Sequence, residues 1–99
     1  MAGAIKGNGV VKTLILYGNH IGDTGAAAFA DALRVNGALE KLWLDDNKIG
    51  DAGAAALADA LRVNSALQRL DLGGNQIGED AESKLQEAVQ GRSGFRLHL

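Results

Sequence analysis

The sequence predicts an α/β solenoid in which short parallel strands alternate with helices. Three observations carry this: a 28-residue repeat, an alternation of leucines at the start of each copy, and an alanine-rich helical stretch later in it. Leu14, Leu16, Asn19, Ile21 and Gly22 return as Leu42, Leu44, Asn47, Ile49 and Gly50, and again as Leu70, Leu72, Asn75, Ile77 and Gly78. Laying residues 14–41 over residues 42–69 gives 19 identities in 28 positions. Self-similarity at a fixed period of about 20–50 residues is the mark of a solenoid or array.

The second copy shows how one unit is built. In Leu42-Trp43-Leu44 the two leucines point to one face and Trp43 to the other. Leu39 adds an apolar anchor before the strand, Asn47 sits at the turn, and Ile49 points back inward. Gly50-Asp51 reads as a helix start, with Asp51 placed to cap free amides at the positive end of the helix dipole. Alanine, the best helix former, dominates from Ala52 to Val63. Leu57, Ala60 and Leu61 fall at i, i+3 and i+4, one inward stripe. Asn64 reads as a C-cap, because Asn tolerates the left-handed conformation. Strand–helix–strand at this spacing implies parallel strands.

These residues resemble the leucine-rich repeat family, in its 28-residue ribonuclease-inhibitor-like subtype. The matching pattern is L-x-x-L-x-L-x-x-N-x-I-G-D-x-G, here from Leu39 through Leu42, Leu44, Asn47, Ile49 and Gly50 to Asp51 and Gly53. Three copies cover roughly residues 11–89. The resemblance implies a right-handed horseshoe with strands on the concave side and helices on the convex side. It also implies that Asn19, Asn47 and Asn75 form a structural ladder between turns, consistent with the need of a buried amide for partners. Strands stack at about 4.8 Å and helices need about 8–10 Å between axes, so such a unit curves. The small residues Ala27, Ala28, Ala55 and Ala56 favour the near end of the helix spacing.

The predicted organisation is one domain over residues 1–99. Residues 1–13 are the remnant of a preceding repeat, 14–41, 42–69 and 70–90 are repeats, and 91–99 close the C-terminal end. The remnant is read from residues 4–9, which align with residues 32–37. The third helix keeps Leu85, Ala88 and Val89 but turns polar at Glu82, Lys84 and Gln86, as a terminal solenoid repeat requires. Phe95, Leu97 and Leu99 alternate as a closing strand, one residue short of the period. Residues Val10–Tyr17 form an edge strand, and a long apolar edge invites pairing. Three explanations stand: the C-terminal part of a longer array, a homo-oligomer joined through that edge, or a short natural or designed protein that tolerates it. A Lys or Glu at Ile15 is expected to change little, while the same change at Leu14 unfolds the first repeat.

Composition sets the remaining bounds. The net charge of −2 argues against a nucleic-acid partner. There is no cysteine, hence no disulfide frame, thiolate metal site or cysteine nucleophile. The first residues lack the apolar core of a signal peptide, and no apolar run approaches the roughly 20 residues that span a bilayer. A cytoplasmic protein without a membrane partner is the expectation. His20 and His98 are isolated, the glycines follow the repeat rather than a phosphate loop, and Asp45-Asp46 lies in a turn, so neither enzyme activity nor a cofactor is expected.

A protein or peptide partner is the remaining class, and the outward strand residues are where it would bind. These are Thr13, Ile15, Tyr17, Gly18 and His20, then Lys41, Trp43, Asp45, Asp46 and Lys48, then Arg69, Asp71, Gly73, Gly74 and Gln76. The chosen contact set is Ile15, Tyr17, Lys41, Trp43, Asp45, Asp46, Arg69 and Asp71. They vary between copies while the core barely changes. Trp43 is either an interface anchor or an aromatic filling a pleat between strands. The charges around it are either a recognition patch or a solvated surface. Three strands about 17 Å long at 4.8 Å spacing present on the order of 250 Å², against roughly 800 Å² per partner in a standard interface. The resemblance extends to NOD-like receptors and implies binding on the concave side of a cytosolic array. The alternative is a capping or designed consensus-like scaffold with no ligand of its own.

Overall fold

The alternating leucines fold as the period demands. The structure, a computed structural model, describes residues 9–99. Strands β1 (Thr13–Ile15), β2 (Lys41–Trp43), β3 (Arg69–Asp71) and β4 (Arg96–His98) alternate with helices α1 (Asp23–Val35), α2 (Asp51–Val63) and α3 (Glu79–Val89). The strands form one parallel sheet in sequential order. Strands line the concave side of this α/β horseshoe and helices the convex side, as expected for its βαβ units. Residues 4–8 of the supposed earlier repeat lie outside the described residues.

The middle residue of each strand points into the core, where Leu42 and Leu70 are fully buried. Leu16, Leu44 and Leu72 follow them inward, and Ile49 closes the second turn. From the helices, Phe29 and Leu33, then Leu57 and Leu61, then Leu85 complete one continuous cluster. Ala54 and Ala58 are buried in α2, which packs against both α1 and α3. Their counterparts Glu82 and Gln86 are half-buried and exposed, because among the described residues no helix packs beyond α3. The small-to-polar change along the repeat is therefore the change from helix–helix contact to solvent.

Three side-chain ladders tie successive turns together. In the first, Asn47 Oδ1 accepts the amides of Asn19 and Ile21 at 2.9 and 3.0 Å, while its Nδ2 donates to the Leu16, Leu44 and Asp45 carbonyls. Asn75 repeats the pattern one turn on, accepting the Ile49 amide and donating to Leu44 and Leu72. Asn19, at the end of the ladder, is exposed, and its side chain donates only within its own turn, to the Leu16 and Tyr17 carbonyls.

The second ladder corrects the expected helix caps. Asp51 does not cap its own helix: α2 starts at Gly50 without a side-chain cap. Asp23 of the preceding repeat supplies it, its Oδ1 accepting the Gly50 and Gly53 amides at 2.7 and 2.9 Å. Asp51 does the same for the Gly78 amide at 2.7 Å. The carboxylate is thus at the helix N-terminus that the dipole favours, but one turn of the solenoid further along.

The third ladder corrects the role of Asn64, whose backbone is extended rather than left-handed. Its side chain does the work: Oδ1 accepts the Ala66 and Leu67 amides, and Nδ2 donates to the Leu33 and Asn36 carbonyls. Arg92 stands 28 residues later and donates to the Leu61 and Leu67 carbonyls. An arginine thus takes the Asn position where the array closes. Gly91, in the left-handed region at φ 84°, turns the chain after an α3 that is two residues shorter than α2. β4 then pairs with β3 at an interval of 27 residues, Leu70 opposite Leu97, where the earlier pairs are 28 apart.

Candidate protein-interaction face

Parallel registry turns the outward strand residues into columns. The first runs Thr13, Lys41, Arg69, Arg96 and the second Ile15, Trp43, Asp71, His98. Neighbours in a column are separated by one strand spacing, about 4.8 Å. Tyr17, Asp45 and Gly73 continue beyond the strands at the turns.

The columns divide the face into an apolar corner and a charged half. Ile15 is 55% exposed and Tyr17 60% exposed, beside the half-buried Trp43. The Arg69 guanidinium carbon lies 4.9 Å from the centre of the Trp43 ring. The same guanidinium makes a two-pronged contact with Asp71, Nε to Oδ1 and Nη2 to Oδ2, each at 3.2 Å. Such forked pairing is the strong form of an arginine–carboxylate contact, and stacking on an aromatic is the other preference of the same planar group. Trp43, Arg69 and Asp71 are therefore one fixed unit across β2 and β3.

This unit corrects one expected site residue. Asp71 is not an exposed recognition group: it is only 6% exposed, because Arg69 folds over it and the neighbouring strands flank it. Its role on this face is to hold Arg69. Lys41 and Asp46 are exposed, and Asp45 is half-buried with a buried Oδ1 that has no hydrogen-bond partner among the described residues. Asp46 adopts the left-handed backbone (φ 55°) that Gly18 and Gly74 adopt at the equivalent turns, a conformation Asp tolerates better than most residues. The eight expected contact residues thus lie on one side of the molecule, but not in one cluster. Ile15, Tyr17 and Trp43 form the apolar corner, Lys41 and Arg69 share a column, and Asp45 and Asp46 sit at the turn.

The strand β4 adds two residues that the sequence did not bring to this face. Arg96 extends the first column and His98 the second. A strict period would place Leu97 and Leu99 opposite Arg69 and Asp71; the one-residue slip already legible in Phe95, Leu97 and Leu99 puts Arg96 and His98 there instead. Gly73 makes room for His98: a Cβ at position 73 would stand 2.9 Å from the imidazole Cε1. Nearby, Arg92 stacks on Phe95 at 4.7 Å while bonding its two carbonyls. Burial lowers its pKa from the ordinary arginine value, by penalising the charged form.

The comparisons with known proteins agree with this architecture. The family model described as "Leucine Rich repeat" matches residues 7–30, 38–58 and 63–80. A solved structure described as leiomodin-1 actin-binding site 2 is similar with a TM-score of 0.85 at 27% identity, over 98% of this chain and 58% of that one. The tropomodulin C-terminal domain of Caenorhabditis elegans is similar with a TM-score of 0.83 at 14% identity, over 94% of this chain and 57% of that one. This chain therefore spans less than two thirds of either structure. A search of curated protein sequences gave no significant match. The repeat pattern, the parallel sheet and the family match together show that the chain belongs to the leucine-rich repeat family.

Proposed function

We propose that this chain is a protein-interaction module, without enzymatic activity, that binds a protein or peptide on its concave face. The observation that carries the proposal is the apolar corner formed by Ile15, Tyr17 and Trp43, two of them more than half exposed and the third braced by Arg69. Aromatic anchors held in place before binding are the usual hot spots of an interface, because little rotamer entropy remains to be lost. The finer assignment is to a cytosolic array of ribonuclease-inhibitor-like, 28-residue repeats similar to those of NOD-like receptors. The 28-residue registers of β1–β2 and β2–β3 support the subtype. Asn19, whose Oδ1 has no donor among the described residues while Asn47 Oδ1 takes two, supports a further turn stacked on β1.

Monomeric actin is the first partner to test, because the leiomodin-1 structure is described as an actin-binding site. Micromolar or weaker binding that is lost in Trp43→Ala supports the concave face. Unchanged binding in that variant removes it. A second reading is self-association: β1 is one of the two sheet edges among the described residues and carries the exposed Ile15. Light scattering distinguishes it, because a dimer that dissociates with Ile15→Lys places the contact at β1, and a concentration-independent monomer excludes it.

A further inference from the structure

The first column of the concave face is basic in a protein whose net charge is −2. Lys41, Arg69 and Arg96 stand in register on three adjacent strands. They border a depression of about 220 Å³ completed by Gln68 and Gly94. Gln68 and Gly94 also border a second depression, of about 360 Å³, that continues past Arg92 and Phe95. No aspartate or glutamate lines either one. Among the described residues the one carboxylate ion-paired to this column is Asp71, which neutralises Arg69. Among the described residues neither Lys41 nor Arg96 has an ion pair or a side-chain hydrogen bond.

Like charges on neighbouring strands repel one another and lower stability. Here Asp71 neutralises Arg69, so the remaining repulsion is between Lys41 and Arg96 on either side of it, while the acidic residues Asp45 and Asp46 lie at the opposite ends of the strands. A ligand that brings negative charge removes the repulsion and meets two unpaired cations beside a third already oriented by Asp71. Building on the concave-face proposal, we infer that this groove takes an acidic peptide segment of the protein partner, its carboxylates seated on Lys41 and Arg96 and its chain running along the Gln68–Gly94 trough toward Phe95. The trough favours a peptide over a compact anion: two linked depressions bordered by an amide side chain, a backbone glycine and an aromatic ring suit an extended chain with more than one charge.

The probe is a hexaglutamate peptide titrated into the intact protein by calorimetry, with Trp43 fluorescence as a second signal because Arg69 covers that ring. Saturable binding is expected, weakening steeply with salt, with at least a tenfold loss in Lys41→Gln/Arg96→Gln. Lys48→Gln removes an exposed lysine from the far end of the strand face and is expected to change the affinity less than twofold. Three results overturn the inference: no saturable binding, equal weakening by Lys48→Gln, or displacement of the peptide by an equal concentration of inorganic phosphate. The concave-face proposal is judged separately. If Trp43→Ala abolishes actin binding while Lys41→Gln/Arg96→Gln leaves the peptide affinity unchanged, the groove assignment fails and the apolar anchor stands.

Discussion

The Asp23 carboxylate occupies the space that a side chain on Gly53 would fill. Its Oδ1 accepts the Gly53 amide at 2.9 Å, and a Cβ at position 53 would stand 2.7 Å from that oxygen. The same Cβ would stand 2.8 Å from Ala26 Cβ, which is fixed to its backbone and cannot swing aside. One glycine thus lets a carboxylate from the preceding repeat reach the first turn of α2. The third repeat shows the counter-case. Ala81 replaces this glycine, and Asp51 keeps the Gly78 bond without a second one to residue 81.

Gly53→Ala is therefore expected to destabilise the protein although alanine favours helix. The propensity gain of about 1 kcal/mol is set against overpacking of about 1–3 kcal/mol and a lost capping bond of about 1 kcal/mol. Asp23→Ala removes only the cap and should cost about 1 kcal/mol. Urea denaturation of the two variants checks this, and a Gly53→Ala protein more stable than the parent would contradict the geometry.

The asparagine ladder gives a graded series. Asn47→Ala breaks bonds to two amides and three carbonyls, and the side chain is buried. Buried groups left unpaired cost about 1–3 kcal/mol each, so a loss of about 3 kcal/mol or more is expected. Asn19→Ala loses two bonds at an exposed end and should cost about 1 kcal/mol or less. Denaturation midpoints should fall in the order Asn19, Asn75, Asn47, and equal effects at all three would deny the ladder its cooperative centre.

Much of this fold is legible in the sequence because one period dictates it. Leu42, Asn47 and Ile49 each recur with fixed spacing, Leu57 recurs as Leu85 with Phe29 in the first copy, and each fills the place that period assigns. What the sequence conceals lies between copies or where the copies cease to match. Asp51 looks like the cap of its own helix because a local pattern cannot display a bond spanning 27 residues. Asp71 looks exposed from strand alternation, yet the arginine two positions earlier covers it. The one-residue slip of the last strand is legible in Phe95, Leu97 and Leu99, but the pairing of Arg96 with Arg69 and of His98 with Asp71 emerges only from the sheet register. Arg92 shares no chemistry with Asn64 beyond the ability to donate to a carbonyl. Its position 28 residues after Asn64 is the signal that could have revealed it.

Arg92 leads to a prediction about how the array is closed. Its guanidinium bridges the carbonyls of Leu61 and Leu67, and only a planar group with several donors spans both. Arg92→Ala is expected to cost about 1.5–3 kcal/mol, in the range of hydrogen bonds to a charged group. Arg92→Lys should restore less than half of that, since an ammonium is a compact point charge. Faster hydrogen exchange at the Leu72 amide, which pairs with His98, should accompany both variants. Full rescue by lysine would mean that charge rather than geometry matters.

Charge insertion along the strands tests the register. Ile15→Lys should change stability by less than about 0.5 kcal/mol, because the side chain is more than half exposed. Leu42→Lys places an ammonium in a fully buried position and should prevent folding of the central repeat. Leu14→Lys should fall between them: β1 is an edge strand among the described residues, and Leu14 is only half-buried against the core. The first repeat is therefore expected to lose less than the complete unfolding that strand alternation alone predicts. Circular dichroism and thermal melts rank the three, and a Leu14 variant as damaged as the Leu42 variant would require a covered β1.

The Trp43–Arg69–Asp71 unit can be read optically, since Trp43 is the single tryptophan. Arg69 rests on the indole at 4.9 Å and is held there by the Asp71 carboxylate. Arg69→Gln should expose the ring, shifting its emission to longer wavelength and increasing quenching by acrylamide. Asp71→Ala should do nearly the same without touching the indole, because it releases the guanidinium that covers it. Lys41→Gln, in the same column but unpaired, should leave the spectrum unchanged. Stability should hardly follow these changes. Arg69 is one third exposed, so the ion pair contributes about 1 kcal/mol or less and the cation–π contact about 0.5–1 kcal/mol. A spectrum insensitive to Asp71→Ala would show that Arg69 stays on Trp43 unaided, and the buried aspartate would then have no part in presenting the anchor.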